Sequence, residues 1–394
     1  MDQNRNIVAD IKQPETRKLL SGELEIGEPA PWHIYDFKGR LLLKKGMILF
    51  SQRQILKLLA LGGFIKIKLD PDPEIEKITL QINDAMSPFQ QIDEVVSQLE
   101  LLFNNIVTRS VNQNEALGKQ FYAVSKSIIE LCEYDLDATI GAIHLDRNHN
   151  YTIVHPLYCS IIAYVLATSI KLSERRVNLT IAAALTSNLG MFELQNVLIN
   201  QPGRLSQQQR AEVEKHTMRS TVLLRRIGIT DKLWTEIVLQ HHEKIDGTGY
   251  PRKLKGDDFI KEARIVGLAD RYHAMVAPRD YRVGLSPTEA LKKIFKERGA
   301  EVDEALSRIL IKKMGVYPPG SFVKLENDEI AIVTRLTDNR TKPSVKSIIT
   351  PEGRIYSTPL QRDCSNLRYR IVGLCRPAEK YSKDLSELWD YKLN

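Results

Sequence analysis

Long uninterrupted apolar runs are missing from this sequence, and its first residues, MDQNRNIVADIKQPETRK, contain no apolar core. A membrane-spanning helix needs about 20 predominantly apolar residues and a secretory signal a shorter apolar stretch, so the expectation is a cytoplasmic chain with no membrane span. Cysteine is scarce. Cys132, Cys159, Cys364 and Cys375 form no CxxC pair, which excludes a zinc knuckle or a disulfide framework and leaves reduced, packed thiols. Internal repeats and low-complexity segments are lacking too. So is a surface of one charge sign: the net charge of +7 arises from 56 Lys and Arg interleaved with 49 Asp and Glu, and nucleic acid is not an expected partner.

What is present is an ordinary globular composition, 43% hydrophobic and 27% charged over 394 residues, enough for two or three separate cores. Residues 1–75 read as a small α+β module. Trp32 to Tyr35 and Arg40 to Leu43 suit a hairpin about Phe37-Lys38-Gly39, and Ser51 with Gln54 opens a helix through Ile55, Leu58 and Leu59 that Gly62-Gly63 stops. Asp70-Pro71-Asp72-Pro73 reads as a linker, because proline fixes φ and removes a donor. Residues 76–140 form a helical linker region. Within it Ile92, Val95, Val96, Leu99, Leu102, Phe103, Ile106 and Val107 recur at helical spacing, and that stripe, on a helix over 86–110, packs either on its own chain or on a second copy. Residues 141–315 read as all-helical, including a helix start at Ser286-Pro287-Thr288-Glu289. From 316 to 394 the period changes to two after Tyr317-Pro318-Pro319-Gly320, which predicts a small β-barrel or meander. The fold class is therefore mainly α, with α+β and β-rich flanks.

Five of the eight histidines, His155, His216, His241, His242 and His273, fall in the helical middle. A histidine on an apolar helix is commonly a hydrogen-bonded core residue, so the neighbours decide. At 241–251 the chain reads HHEKIDGTGYP. This segment resembles the hallmark HHExxDGxGYP of the HD-GYP family, bacterial metal-dependent phosphodiesterases of cyclic di-GMP. The resemblance extends over most of 140–285 through Tyr151-Thr152 ahead of His155, Lys215-His216, Ala263-Arg264-Ile265 and Ala269-Asp270.

The resemblance implies an all-helical domain in which His155, His216, His241, His242 and Asp270 occupy metal-ligand positions. In the family such groups hold two or three iron, manganese or similar ions. Carboxylates bridge paired ions about 3.5 to 4 Å apart, which would otherwise repel. The defining doublet is broken, however. Where the family reads His-Asp-Ile-Gly-Lys, this chain has Ser187-Asn188-Leu189-Gly190-Met191, and Tyr151 stands where members with three ions place a glutamate. Asparagine offers a neutral carbonyl in place of an anion. The expectation is either one divalent metal ion or none, with Ser187 and Asn188 as interior helix residues bonded to their surroundings.

The ligand pocket does not depend on the doublet. By resemblance Gly249, Tyr250, Pro251, Arg279 and Arg282 face the nucleotide, and an arginine fork suits a phosphate or a guanine. The GYP loop is also associated with docking of GGDEF cyclases. Three readings stay open: a cyclic di-GMP sensor or scaffold with little hydrolysis, a phosphodiesterase with a reduced centre that recruits Glu243 or Asp246, and a purely protein-binding module.

Overall fold

The computed structural model describes residues 16–19, 23–24, 30–36, 40–47, 49, 52–60, 63–66, 86–108, 115–278, 284–375 and 385–391. The Phe37-Lys38-Gly39 turn, Ser51, Gly62, the Asp-Pro linker, Arg279 and Arg282 lie outside them. The chain divides into two units. One comprises residues 1–77 with 102–112, and the other residues 78–101 with 113–394.

In the first unit β1 (Thr16–Lys18), β2 (Ile34–Tyr35), β3 (Leu41–Leu43) and β4 (Phe64–Lys66) form an antiparallel sheet in the order β1-β4-β2-β3. β2 and β3 pair as the expected hairpin, Ile34 opposite Leu43. Asp36 closes it, accepting from the Arg40 backbone N–H and side-chain Nε at 2.9 and 2.8 Å. Helix α1 (Gln52–Ala60) lays Ile55 and Leu58 on a core with Ile34 and Ile65.

α2 (Pro88–Thr108) belongs to the second unit as far as Leu101. There Ile92, Val95, Val96 and Leu99 are buried within the chain while Leu101 is exposed. Those four positions leave no apolar seam for a second copy, so the homodimer contact considered for this helix loses its basis at them. The helical body continues with α3 (Glu115–Tyr134), α4 (Leu136–Leu145), α5 (Tyr151–Ser169), α6 (Glu174–Thr186), α7 (Phe192–Leu198), α8 (Gln207–Glu214), α9 (His216–Arg226), α10 (Lys232–Gln240), α11 (Lys261–Val276), α12 (Pro287–Glu297) and α13 (Glu304–Met314). Ser286 and Glu289 form the capping box read at the start of α12.

α5 is the central helix, packed against α3, α6, α11 and α13. Its 19 residues are long and apolar enough to cross a membrane, contrary to the expectation that no segment is, and 83% of its apolar window is buried inside the fold. Burial on all sides, not one stripe, accounts for its apolarity. α6 stops at Thr186. Ser187 is its C-cap and Asn188 precedes a 3-10 turn over Leu189–Met191, so neither is the interior helix residue expected.

The C-terminal strands β5 (Phe322–Leu325), β6 (Ile330–Arg335), β7 (Ser344–Ile349), β8 (Ile355–Asp363) and β9 (Ile371–Leu374) form one antiparallel sheet ordered β8-β7-β6-β5-β9. β5 to β8 are a meander, but the sheet does not close into the expected barrel. Pro359 in β8 supplies the reason: proline has no N–H to donate, which suits an edge strand and not one paired on both sides. The sheet is anchored to the helices. Arg335 grips Asp135 with two hydrogen bonds of 2.5 and 2.6 Å, and Tyr391 donates to the same carboxylate at 2.6 Å. Gly320 fits at α4 because a Cβ there would lie 2.8 Å from the Gly141 carbonyl.

Candidate metal and nucleotide site

Four helices deliver the histidines. His216 opens α9, His241 caps the C-terminus of α10 with His242 next, His155 projects from the first half of α5, and α11 carries Asp270 and, one turn on, His273. Gly267 permits the close approach of α11 to the end of α10, since a Cβ there would sit 2.4 Å from the His241 carbonyl oxygen.

His216, His241 and His242 offer ring nitrogens that all lie within 4.8 Å of one another. Their tautomers follow from their partners. A carbonyl can only accept, so Nδ1 of His216 donates to Val213 at 2.5 Å and Nδ1 of His241 donates to Val238 at 2.7 Å. Both Nε2 atoms are then unprotonated, and they face each other at 3.4 Å. This is how ligating imidazoles are commonly oriented, the far nitrogen fixed by a backbone acceptor. Burial lowers the pKa of all three rings, with neighbouring imidazoles adding to the effect; His216 falls to about 3, so the group stays neutral and able to ligate at pH 7.

Asp270 links this trio to His155, whose Nε2 lies 2.8 Å from its Oδ1. Burial alone would raise the Asp270 pKa, but the hydrogen bond from His155 and the nearby His242 and His241 outweigh it and hold the carboxyl well below the usual range. His155 Nδ1 faces His273 Nδ1 at 2.7 Å, and Cys159 Sγ lies 3.8 Å from the same His155 atom. Tyr151 stacks on His155 with ring centroids 4.9 Å apart. A cleft of about 570 Å³ opens beside His273 and Tyr151, its wall including Arg147, Asn148, Asn196 and Asn200.

The HHEKIDGTGYP segment folds back over the trio. Tyr250 stacks on His242 at 4.8 Å and donates its backbone N–H to the His242 carbonyl at 3.1 Å. Gly249 admits this return, since a Cβ there would lie 2.4 Å from the Lys244 nitrogen, and Gly247 takes a φ of +81° that favours glycine. Pro251 is partly buried beside Tyr250.

Comparison with known proteins agrees with this geometry. A sequence profile of the HD domain family matches residues 145–306. A cyclic di-GMP phosphodiesterase of Pseudomonas aeruginosa is 26% identical over 264 residues, which cover 64% of this chain and 62% of that protein. A probable cyclic di-GMP phosphodiesterase of Vibrio cholerae is 31% identical over 167 residues, 40% of this chain and 37% of that one. A 3'3'-cGAMP-specific phosphodiesterase of the same organism is 26% identical over 174 residues, 44% and 38% of the two chains. Residues 145–306 are an HD domain of the HD-GYP family. The chain thus spans less than two thirds of the length of these relatives.

Within the HD-GYP domain the five expected ligand residues His155, His216, His241, His242 and Asp270 converge, while the doublet positions differ in kind. The Ser187 hydroxyl donates to the Ala184 carbonyl at 3.0 Å, and its carbonyl accepts from Ser220. The buried Asn188 Oδ1 has no hydrogen-bond partner, against the expectation that it is satisfied. Met191 is partly buried. Neither carboxylate considered as a recruit joins the HD-GYP histidines. Glu243 accepts the backbone N–H groups of Arg252 at 2.7 Å and Leu254 at 2.9 Å, and the exposed Asp246 accepts from Thr248. The neighbours of the centre that sequence reasoning passed over are Cys159 and His273. Each follows an expected ligand at helical spacing, four residues after His155 and three after Asp270, which is the signal that marks a shared face.

Proposed function

We propose that this protein binds a cyclic dinucleotide, cyclic di-GMP foremost, and acts in cytoplasmic signalling as a sensor or interaction scaffold with little or no hydrolysis. The observation that supports it is the state of the doublet: Ser187 is occupied with Ala184, and Asn188 presents a neutral, unpartnered oxygen. Paired cations need an anionic bridge, and Asp270 is the one carboxylate among the five expected ligand positions.

A single ion fits better than two. His216, His241 and His242 are the residues that would hold it, with Nε2 of the first two already bare. A bound divalent ion at this position would polarise a phosphoryl oxygen or a water. That arrangement favours a second reading, a slow phosphodiesterase working from a reduced centre. In either reading Tyr250 covers the histidines, and Arg279 and Arg282 are assigned to the nucleotide by family resemblance.

Calorimetric titration with cyclic di-GMP, run beside a turnover assay in added manganese or iron, separates the readings. Saturable binding with no release of pGpG or GMP is expected, weakened by Arg279→Ala and Arg282→Ala. Turnover together with two ions per chain overturns the proposal, and no binding of any cyclic dinucleotide leaves only the protein-binding module.

A further inference from the structure

We propose that the cleft beside Tyr151 and His273 is a base subsite in which Asn196 and Asn200 accept adenine as readily as guanine, so that a cyclic dinucleotide with one base of each kind is a ligand, its adenine held here. This rests on the cyclic dinucleotide reading above and assigns one of its two bases. The cleft measures about 570 Å³, within the roughly 300–1,000 Å³ of small-molecule sites. Two separate segments wall it. α7 brings Asn196, with Asn200 just past its end, and the loop from α4 to α5 brings Arg147 and Asn148. Val154 and Ile199 add apolar wall suited to the faces of a flat ring.

Some polar groups of the cleft are already engaged and others are left for a ligand. Asp146 is the one carboxylate in the lining, and both its oxygens are taken. Oδ1 accepts the Asn148 backbone N–H at 2.9 Å, while Oδ2 accepts the Tyr158 hydroxyl at 2.7 Å and faces His149 Nδ1 at 3.0 Å. Asn150 is spent in capping α5, its Oδ1 accepting from Thr152. The carboxamides of Asn148, Asn196 and Asn200, by contrast, have no hydrogen-bond partner among the described residues.

That division decides which base edges the cleft can meet. Selecting guanine against adenine takes a fixed acceptor for its N1–H and its 2-amino group, the role of a free carboxylate, and Asp146 is not free. A carboxamide holds a donor and an acceptor side by side. It pairs with N6 and N7 of adenine, or turns over to offer its NH₂ to guanine O6. Arg147 uses Nη1 on the Asp146 carbonyl at 2.6 Å, and the rest of its fork suits the phosphate next to the base. Asn196 and Asn200 are thus the specificity-determining pair, and Arg147 is an anchor indifferent to the base.

Calorimetric titration of the full-length chain compares cyclic di-GMP with 3'3'-cyclic GMP-AMP, which differ in one base. Affinities within about 5-fold of each other are expected. A mixed ligand bound more weakly than that, while cyclic di-GMP binds, overturns the proposal and leaves the proposed function standing. Asn196→Ala with Asn200→Ala should weaken both ligands at least about 5-fold, and no weakening overturns the assignment. Asn196→Asp should penalise the mixed ligand relative to cyclic di-GMP by about 5-fold or more, because a carboxylate cannot donate to adenine N7; an unchanged ratio refutes adenine in the cleft. Arg147→Ala should weaken both ligands alike, and a loss confined to cyclic di-GMP would make Arg147 a guanine reader and overturn the scheme. Should a variant fail to fold, hydrogen exchange in the unaltered protein decides: the mixed ligand is expected to slow exchange across 192–200, and unchanged exchange there at saturation sinks the subsite. Binding of neither ligand removes this subsite and the cyclic dinucleotide reading together.

Discussion

Replacing Gly267 by alanine sets two effects of opposite sign against each other. Gly267 lies inside α11, and in a helix interior alanine is favoured over glycine by about 0.8–1 kcal/mol. The new Cβ, however, would lie 2.4 Å from the His241 carbonyl oxygen, a full 1 Å inside the 3.4 Å at which ordinary contact begins. The obstacle is backbone, so no rotamer change relieves it, and overpacking of this kind costs roughly 1–3 kcal/mol or more. A net destabilisation of about 1–2 kcal/mol is expected, seen as a lower urea midpoint at unchanged slope. The strain should also be relieved by moving α10 away from α11, which separates His241 from Asp270. Metal affinity at the trio is therefore expected to fall with stability. A Gly267→Ala protein as stable as the parent, or more so, would show that helix propensity wins and that the close approach does not position the site.

Three further outcomes follow from named contacts. Restoring the doublet with Ser187→His and Asn188→Asp is expected to raise bound metal, read by elemental analysis, because an anion then replaces the unpartnered amide oxygen; no gain would place the deficit elsewhere. Glu243→Gln removes one of the two acceptors that hold Arg252 and Leu254, and should cost about 1–3 kcal/mol of stability and speed hydrogen exchange across 247–254; unchanged exchange there would refute the clamp. Burial of Glu329 would raise its pKa, but Arg362, Ser347 and Tyr356 pull it down to about 2. Its folded value is below the unfolded one of about 4.3, so its contribution is present above pH ~4.3 and is lost as pH falls toward 2. Glu329→Gln should flatten the fall in stability over that window by on the order of 1–3 kcal/mol, and parallel wild-type and variant curves would contradict this.

His241, His242 and their loop were legible because these residues are contiguous and each type is restricted by chemistry, whereas His216, 25 positions earlier, was picked out by the Lys215-His216 landmark. Spacing along helices carried the rest of the helical body, as at Ser286 and along α2. Other features need the third dimension. The closeness of Cys159 and His273, 114 positions apart, is revealed only by the facing of α5 and α11. α5 escaped notice as a long apolar helix because Thr152, His155 and Ser160 interrupt its run, although all three are buried. α6 ends where the chain enters the 3-10 turn over Leu189–Met191, which packs against α9 so closely that a Cβ on Gly190 would meet the His216 carbonyl at 2.5 Å. The open sheet did have a readable sign, Pro359, which a count of alternating residues overlooks.

The latch made by Glu243 has a consequence for how this segment can vary. One carboxylate ties down residues nine and eleven positions ahead, and the residues immediately before it are two of the trio. Gain or loss of a single residue between 243 and 254 would release the latch or drag His241 and His242 out of place. Chain length there is fixed, while the exposed side chain of Thr248, which bonds only to Asp246 beside it, can be exchanged without disturbing the latch.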